Sequence, residues 1–289
     1  MQLLVYLLLY PVIWFISILL LKLLYLLSDG VYFFIYYIIG YRKKTVRHNL
    51  VIAFPHLSSE ERLFIEKKSY RHLCDMFLEM IKTLNISEKE MDKRYQFTNL
   101  DIYNKLEEQQ KSVIIMLAHY ANYEWLIAMN KYIKFEGFGV YKKIKNPYFD
   151  RLVKKIRSKF KATLISTKET SKVIEKNDTN NKLSAYAFIS DQTPKASSNM
   201  HWYQFMGKEA PIHIGAEMLA KRFDMNIIFL KVKKIQRGFY QATFEILSDQ
   251  VKSVPNFQIS ENFIKKVEEQ IYEAPEYYMW THKRWKRTR

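Results

Sequence analysis

The sequence predicts an α/β domain, a mixed sheet flanked by helices, with an N-terminal membrane-anchoring helix. Three observations predict it. Residues 112–118 (SVIIMLA) and 183–190 are short apolar runs of the kind buried on both faces of a sheet. Segments with helical period lie between and after them, the alternation typical of the α/β class. The first 39 residues carry no charge except Lys22 and Asp29. The chain has 289 residues, enough for one sizeable domain and an anchor, which we place at 41–289 and 1–40.

Residues 3–21 are free of charge, and as a helix they are long enough to cross a hydrocarbon core about 30 Å thick. Their tyrosines and Trp14 suit a membrane interface, and Pro11 is tolerated in lipid-embedded helices. A second apolar run, 31–39, follows a break at Ser28-Asp29-Gly30. It is too short to span and reads as an interfacial extension or one arm of a hairpin. No positive leader or small-residue cleavage site marks a signal peptide. Arg42, Lys43, Lys44 and Arg47 follow instead, and the positive-inside tendency keeps the rest of the chain cytoplasmic.

Residues 41–95 read as helical, with Ser58 capping a start rich in acids. Cys74 falls in this pattern as a packing thiol, and one cysteine permits no internal disulfide. After the strand at 112–118, residues 122–132 look helical, and 147–160 form a basic amphipathic helix. Residues 177–181 (NDTNN) read as a flexible loop. A helix at 211–222 and a strand at 226–234 follow. Residues 239–247 form a strand antiparallel to the previous one across Arg237-Gly238, and a last helix covers 257–272.

The balance of 46 Lys+Arg against 29 Asp+Glu, a net charge of +17, attracts anionic partners: nucleic acid, anionic lipid or an acidic protein. The basic end, 282–289 (HKRWKRTR), suits either a membrane surface or nucleic acid, and the apolar N-terminus favours the membrane.

The chemistry concentrates at Leu117-Ala118-His119-Tyr120-Ala121-Asn122-Tyr123-Glu124-Trp125. His119 ends the first buried strand. Side chains five apart on one helix diverge, so His119 and Glu124 meet only if His119 lies on the turn and Glu124 in the first helical turns. Glu124 would then hold one ring nitrogen and leave the other as a general base. The spacing does not match the His-Glu-x-x-His zinc pattern, no cysteine cluster accompanies it, and no metal is expected.

His119-x4-Glu124 resembles the H-x4-D/E motif of glycerolipid acyltransferases, and the chain as a whole resembles the lipid A biosynthesis lauroyl/myristoyl acyltransferase family. The matching blocks occur in order. They are Arg47-His48-Asn49-Leu50 with Ala53-Phe54-Pro55, Tyr141-Lys142-Lys143-Ile144-Lys145-Asn146-Pro147 with Arg157, Ser190-Asp191-Gln192, Phe205-Met206-Gly207, and Pro275-Glu276-Tyr277-Tyr278-Met279-Trp280-Thr281-His282-Lys283-Arg284-Trp285. The resemblance implies acyl transfer from an acyl carrier protein thioester to a hydroxyl of a lipid A precursor at the inner membrane, with no other cofactor. Anionic membrane lipids are an expected partner and nucleic acid is not. His119 and Glu124 are the expected catalytic dyad. Lys143 and Arg157 are candidates for phosphate or sugar-acid groups, Asp191 and Gln192 for the pocket wall, and Asn146 for substrate contact or a plain helix cap. Family members often have glycine soon after the arginine, whereas Lys159-Phe160-Lys161-Ala162 has none. A lysophospholipid or aminolipid acceptor is the alternative, although no E-G-T-R block is present. A membrane-tethered nucleic-acid-binding protein is a more distant one.

Overall fold

The computed structural model describes residues 1–197 and 200–289. Its centre is a seven-stranded mixed sheet. In chain order the strands are β1 (Tyr95–Thr98), β2 (Val113–Leu117), β3 (Glu136–Tyr141), β4 (Thr163–Ser166), β5 (Ser184–Ile189), β8 (Asn226–Gln236) and β9 (Phe239–Ser248), and β6 (His201–Phe205) and β7 (Lys208–Ile212) form a separate antiparallel ribbon. Across the sheet the order is β1-β9-β8-β2-β5-β3-β4. Every pairing is parallel except β8 with β9, which turn at Arg237-Gly238 as expected. β2 lies mid-sheet and every residue in it is buried, which explains its unbroken apolar run.

The short strands β1, β3 and β4 are not legible as strands in the sequence. β1 and β4 have four residues each, and β3 carries Gly137 and Gly139. The helix read at 211–222 starts at Gly215, because Pro211 belongs to β7 and faces Trp202. The loop read at 177–181 is largely helix: Thr170–Thr179 is helical, and Asn177 is buried with its Nδ2 donating to the Tyr186 hydroxyl at 2.9 Å. An asparagine that satisfies its amide inside the fold loses its loop preference.

The N-terminal segment also differs from expectation. Helix α1 runs from Gln2 to Ile18 and stops, and α2 runs from Leu21 to Phe33 and continues as a π-helical stretch, Phe34–Ile39. The break therefore falls at Leu19-Leu20, not at Ser28-Asp29-Gly30. Lys82 causes it by donating to the carbonyls of Ser17 (2.9 Å) and Leu19 (2.7 Å), which satisfies groups a helix end leaves open. The helix runs through 28–30 because both polar side chains find partners there. Ser28 donates to Asp75 at 2.7 Å, and Asp29 pairs with Arg237 at 2.8 Å. Leu21–Ile39, not 3–21, is the helix long and apolar enough to cross a membrane.

Both helices pack on α4 (Ser59–Lys82), whose start is a full capping box between Ser58 and Glu61. Cys74 is buried in α4, and burial pushes its thiol up to about 12, so it serves as packing.

Candidate active site

The sheet sets the site. β2 and β5 are neighbours in parallel register, Leu117 opposite Ile189, and the Ser190 amide donates to the Leu117 carbonyl at 3.1 Å. The residues just past the two strands, His119 and Asp191, therefore emerge side by side at the carboxyl edge of the sheet, where α/β folds place their sites. The Nδ1 of His119 lies 2.8 Å from the Asp191 carboxylate, and the same oxygen accepts the His119 backbone N–H at 3.0 Å. Asp191 is fully buried, while a fifth of the His119 side chain is exposed.

Burial pushes the Asp191 carboxyl up, but the His119 charge and its two hydrogen bonds outweigh this and hold it below the usual carboxylate range. An ionised carboxylate only accepts. The proton on that edge of the ring is therefore on Nδ1, and the Nε2 lone pair is left free.

Glu124 does not hold the imidazole. The chain leaves β2 through a tight turn in which Ala121 adopts φ 48°, and Asn122 caps the 3-10 helix Tyr123–Lys131 by accepting from the Trp125 amide at 3.0 Å. That turn sends Glu124 to Arg157, which grips it with Nε at 2.8 Å and Nη2 at 2.6 Å. The fork matches the carboxylate bidentately. Burial lowers the Arg157 pKa, and Glu124 more than restores it. Arg157 Nη1 makes no hydrogen bond among the described residues. Between the two pairs stands Tyr123, whose ring meets His119 edge-on at 4.9 Å and whose hydroxyl feels Glu124, Arg157 and Asp191.

The other sequence candidates separate. Asn146 caps helix α7 (Pro147–Arg157) through the amides of Tyr148 (3.0 Å) and Phe149 (3.5 Å). Lys143 is exposed, within electrostatic reach of Glu169. Gln192 reaches the Met279 sulfur at 3.9 Å. Lys161, in the turn after α7, takes φ 66°, a left-handed backbone held at a steric cost.

The ordered blocks converge in space. Met279 N–H donates to the His119 carbonyl at 3.1 Å and Ala121 N–H to the Tyr277 carbonyl at 2.9 Å, so the terminal segment is laced along the His119 turn. Asn49 holds that segment by donating to the carbonyls of Trp280 (2.8 Å) and His282 (2.7 Å). Phe205 stacks on Trp285 at 5.6 Å, and Arg284 lies over the Phe205 ring. His282 accepts the Thr193 amide at 3.3 Å, and burial pushes it down to about 4, so it stays neutral.

A family model described as bacterial lipid A biosynthesis acyltransferase matches residues 2–287. The chain belongs to that family. A search of curated proteins found no match. The fold and the match together assign the protein acyl transfer in lipid A biosynthesis. With the apolar N-terminal helix, membership in this lipid pathway points to membrane association.

Two hollows lie near the His119–Asp191 pair. A slot with about 20 Å³ of free space lies beside His119, lined by Met76, Ala121, Tyr123, Tyr278 and Trp280. His72 and Tyr277 separate it from an open cleft of about 720 Å³ with a mixed charged wall, in which Lys68 pairs with Glu276, Lys234 with Asp75, and Arg237 with Asp29 and Asp75, while Arg71 forms no ion pair among the described residues. Sequence reasoning named Asp191 only as pocket wall and missed Tyr123. The signal for Asp191 was present: two buried runs of similar length, one ending at His119 and the other just before Asp191.

Proposed function

We propose that the protein transfers a fatty acyl group from an acyl carrier protein thioester to a hydroxyl of a lipid A precursor, with His119 as general base. The observation that carries this reading is the Asp191 carboxylate on His119 Nδ1. In the proposed step, Nε2 takes the proton of the acceptor hydroxyl, and the oxygen attacks the thioester carbonyl carbon. The tetrahedral oxyanion collapses, the C–S bond breaks, and the departing thiolate takes the proton back from the imidazolium. Asp191 stabilises that imidazolium, and a base so placed contributes about 10²–10⁴-fold in rate. Arg157 fits the oxyanion role because Glu124 holds two of its nitrogens and leaves Nη1 available. Glu124 acts in this reading as a positioning residue, not as the partner of His119.

In the cleft beside the slot, Arg71 forms no ion pair among the described residues, which suits the anionic headgroup of the acceptor. The net charge of +17 suits an acidic carrier protein and anionic lipids. Residues 1–40 serve as membrane attachment and 41–289 as the catalytic domain, on the cytoplasmic face of the inner membrane. The test is an assay of purified enzyme with acyl carrier proteins of varied chain length and a lipid A precursor. Ester product that requires the carrier thioester supports the reading. Acylation only of a lysophospholipid or aminolipid contradicts it.

A further inference from the structure

Arg284 is removed from water without an ion pair. It is 1% exposed, and among the described residues its guanidinium makes one hydrogen bond, from Nη1 to the Pro211 carbonyl at 3.2 Å. The group lies 4.5 Å over the Phe205 ring, and its Nε and Nη2 have no partner. A charge buried in that state is costly, and packing on an aromatic ring does not by itself require one.

The Asp191 carboxylate has an unpartnered atom as well. It is fully buried, and its Oδ1 takes both donors of His119 while Oδ2 has no partner. The chain brings the two groups together. Two residues past Asp191, Thr193 donates its backbone N–H to His282 Nε2 at 3.3 Å and its hydroxyl to the Arg284 carbonyl. Phe205, beneath the guanidinium, is 6.5 Å from the ring of Tyr278, and Tyr278 forms a bridge with Tyr120, the residue after His119. The two opposite charges therefore share one buried compartment, where attraction extends beyond hydrogen-bond range.

The other ionisable side chains facing Asp191 are uncharged at neutral pH. Burial pushes Tyr123 and Tyr278 well above the ordinary tyrosine range, and it pushes His213 and His282 below the ordinary histidine range. Glu268 also faces Arg284, but it is only partly buried and already accepts the Met206 amide. Lys286, nearby in the chain, is exposed. Arg284 is thus the one permanent positive charge buried beside Asp191 among the described residues.

We propose that Arg284 is the counter-charge of the His119–Asp191 pair, a positioning residue that keeps the Asp191 carboxylate charged so that it accepts from Nδ1 and leaves Nε2 free. The inference rests on the reading of His119 as general base. Without the guanidinium, the buried carboxylate takes a proton more readily. A protonated Asp191 donates to Nδ1, the ring proton then resides on Nε2, and the lone pair that receives the acceptor's proton is lost. Arg284 acts through Asp191 and touches no substrate.

The test is the pH profile of kcat/KM for Arg284→Met and Arg284→Lys in the carrier-protein-dependent assay. In Arg284→Met the acid limb should move up by about one pH unit or more, with activity recovering at alkaline pH. Arg284→Lys restores the charge and should bring the limb back toward its parental position. An unmoved limb in Arg284→Met, or a loss by the same factor at every pH, would mark the arginine as structural only. Thermal melts of Asp191→Asn, Arg284→Met and the double variant complete a cycle. Removing the arginine should cost less in Asp191→Asn than in the parent, because the carboxylate it would strand is already gone. Equal cost in both backgrounds, failure to fold in both included, overturns the proposal. Parental activity in Asp191→Asn would instead refute the base assignment, and the melting cycle reads the Arg284 coupling independently of that outcome.

Discussion

One carboxylate oxygen of Asp191 serves two donors of the same residue, the ring Nδ1 and the backbone N–H of His119, at 2.8 and 3.0 Å. It fixes both the tautomer of the imidazole and its direction. The Asp191 carboxyl is held below the ordinary aspartate range, so the stability it contributes is present at neutral pH. That stability disappears only as the pH falls through the depressed value. The pair is therefore intact across the working range, and His119→Ala should reduce transfer by at least about a hundredfold and lower the thermal midpoint, because it strands the buried Asp191 carboxylate. Steady-state kinetics beside a melting curve checks both halves.

Glu124 and Arg157 make a different prediction. Glu124 is buried and its partner side chain is a quarter exposed. Glu124→Ala strands a guanidinium that water reaches only in part. The expected loss is a few kcal/mol at most, less than the roughly 3–5 kcal/mol of a fully buried orphan charge. Glu124→Gln should keep the fold and lower kcat more than it raises KM, because it loosens the grip on Arg157 without emptying the space. Kinetics and thermal melts on both variants decide the matter. Equal loss of stability in the two would contradict it.

Glu79 gives a pH signature. It accepts from Tyr25, Asn122 and Tyr240 in a fully buried position. Burial, aided by Asp75 and opposed by Lys234, pushes it from 4.5 to about 7. The folded state therefore binds more protons than the unfolded state between those values, and stability declines as pH rises through that window. Glu79→Gln should flatten the decline. Urea midpoints at about pH 5 and about pH 8 test this, and an unchanged slope in the variant would refute it.

Asn49 ties the terminal segment to the site. Asn49→Ala leaves the carbonyls of Trp280 and His282 without its amide, at a cost of roughly 1–3 kcal/mol. The strap along the His119 turn should loosen, with faster hydrogen exchange at 277–282 and reduced turnover. Exchange measured by mass spectrometry reads the first effect directly.

Lys161→Gly should stabilise the protein by about 1 kcal/mol, since the turn after α7 already holds a left-handed backbone there. A thermal midpoint below that of the parent would show that the lysine side chain contributes more than the strain costs.

The sequence displayed the central strands because burial on both faces leaves an unbroken apolar run. It displayed His119 because its strand ends there. It did not display which strands are neighbours, and the partner of His119 is decided by that adjacency. Glu124 is near His119 along the chain, but Ala121 in a left-handed conformation turns it toward Arg157. Asp191 lies 72 residues away and meets His119 because β2 and β5 run in parallel register. The N-terminal break was misplaced for a similar reason. Ser28 and Asp29 suggest a turn when read alone, and only Asp75 and Arg237, distant in sequence, make them helical.

The central claim is that Asp191 holds the catalytic imidazole, and it is most directly tested by the kcat/KM of Asp191→Asn in the carrier-protein-dependent assay. An amide at this position donates to Nδ1 as readily as it accepts, which lets the ring proton move to Nε2 and removes the base. We expect a loss of at least about a hundredfold with the fold retained. Activity close to that of the parent enzyme would contradict the assignment.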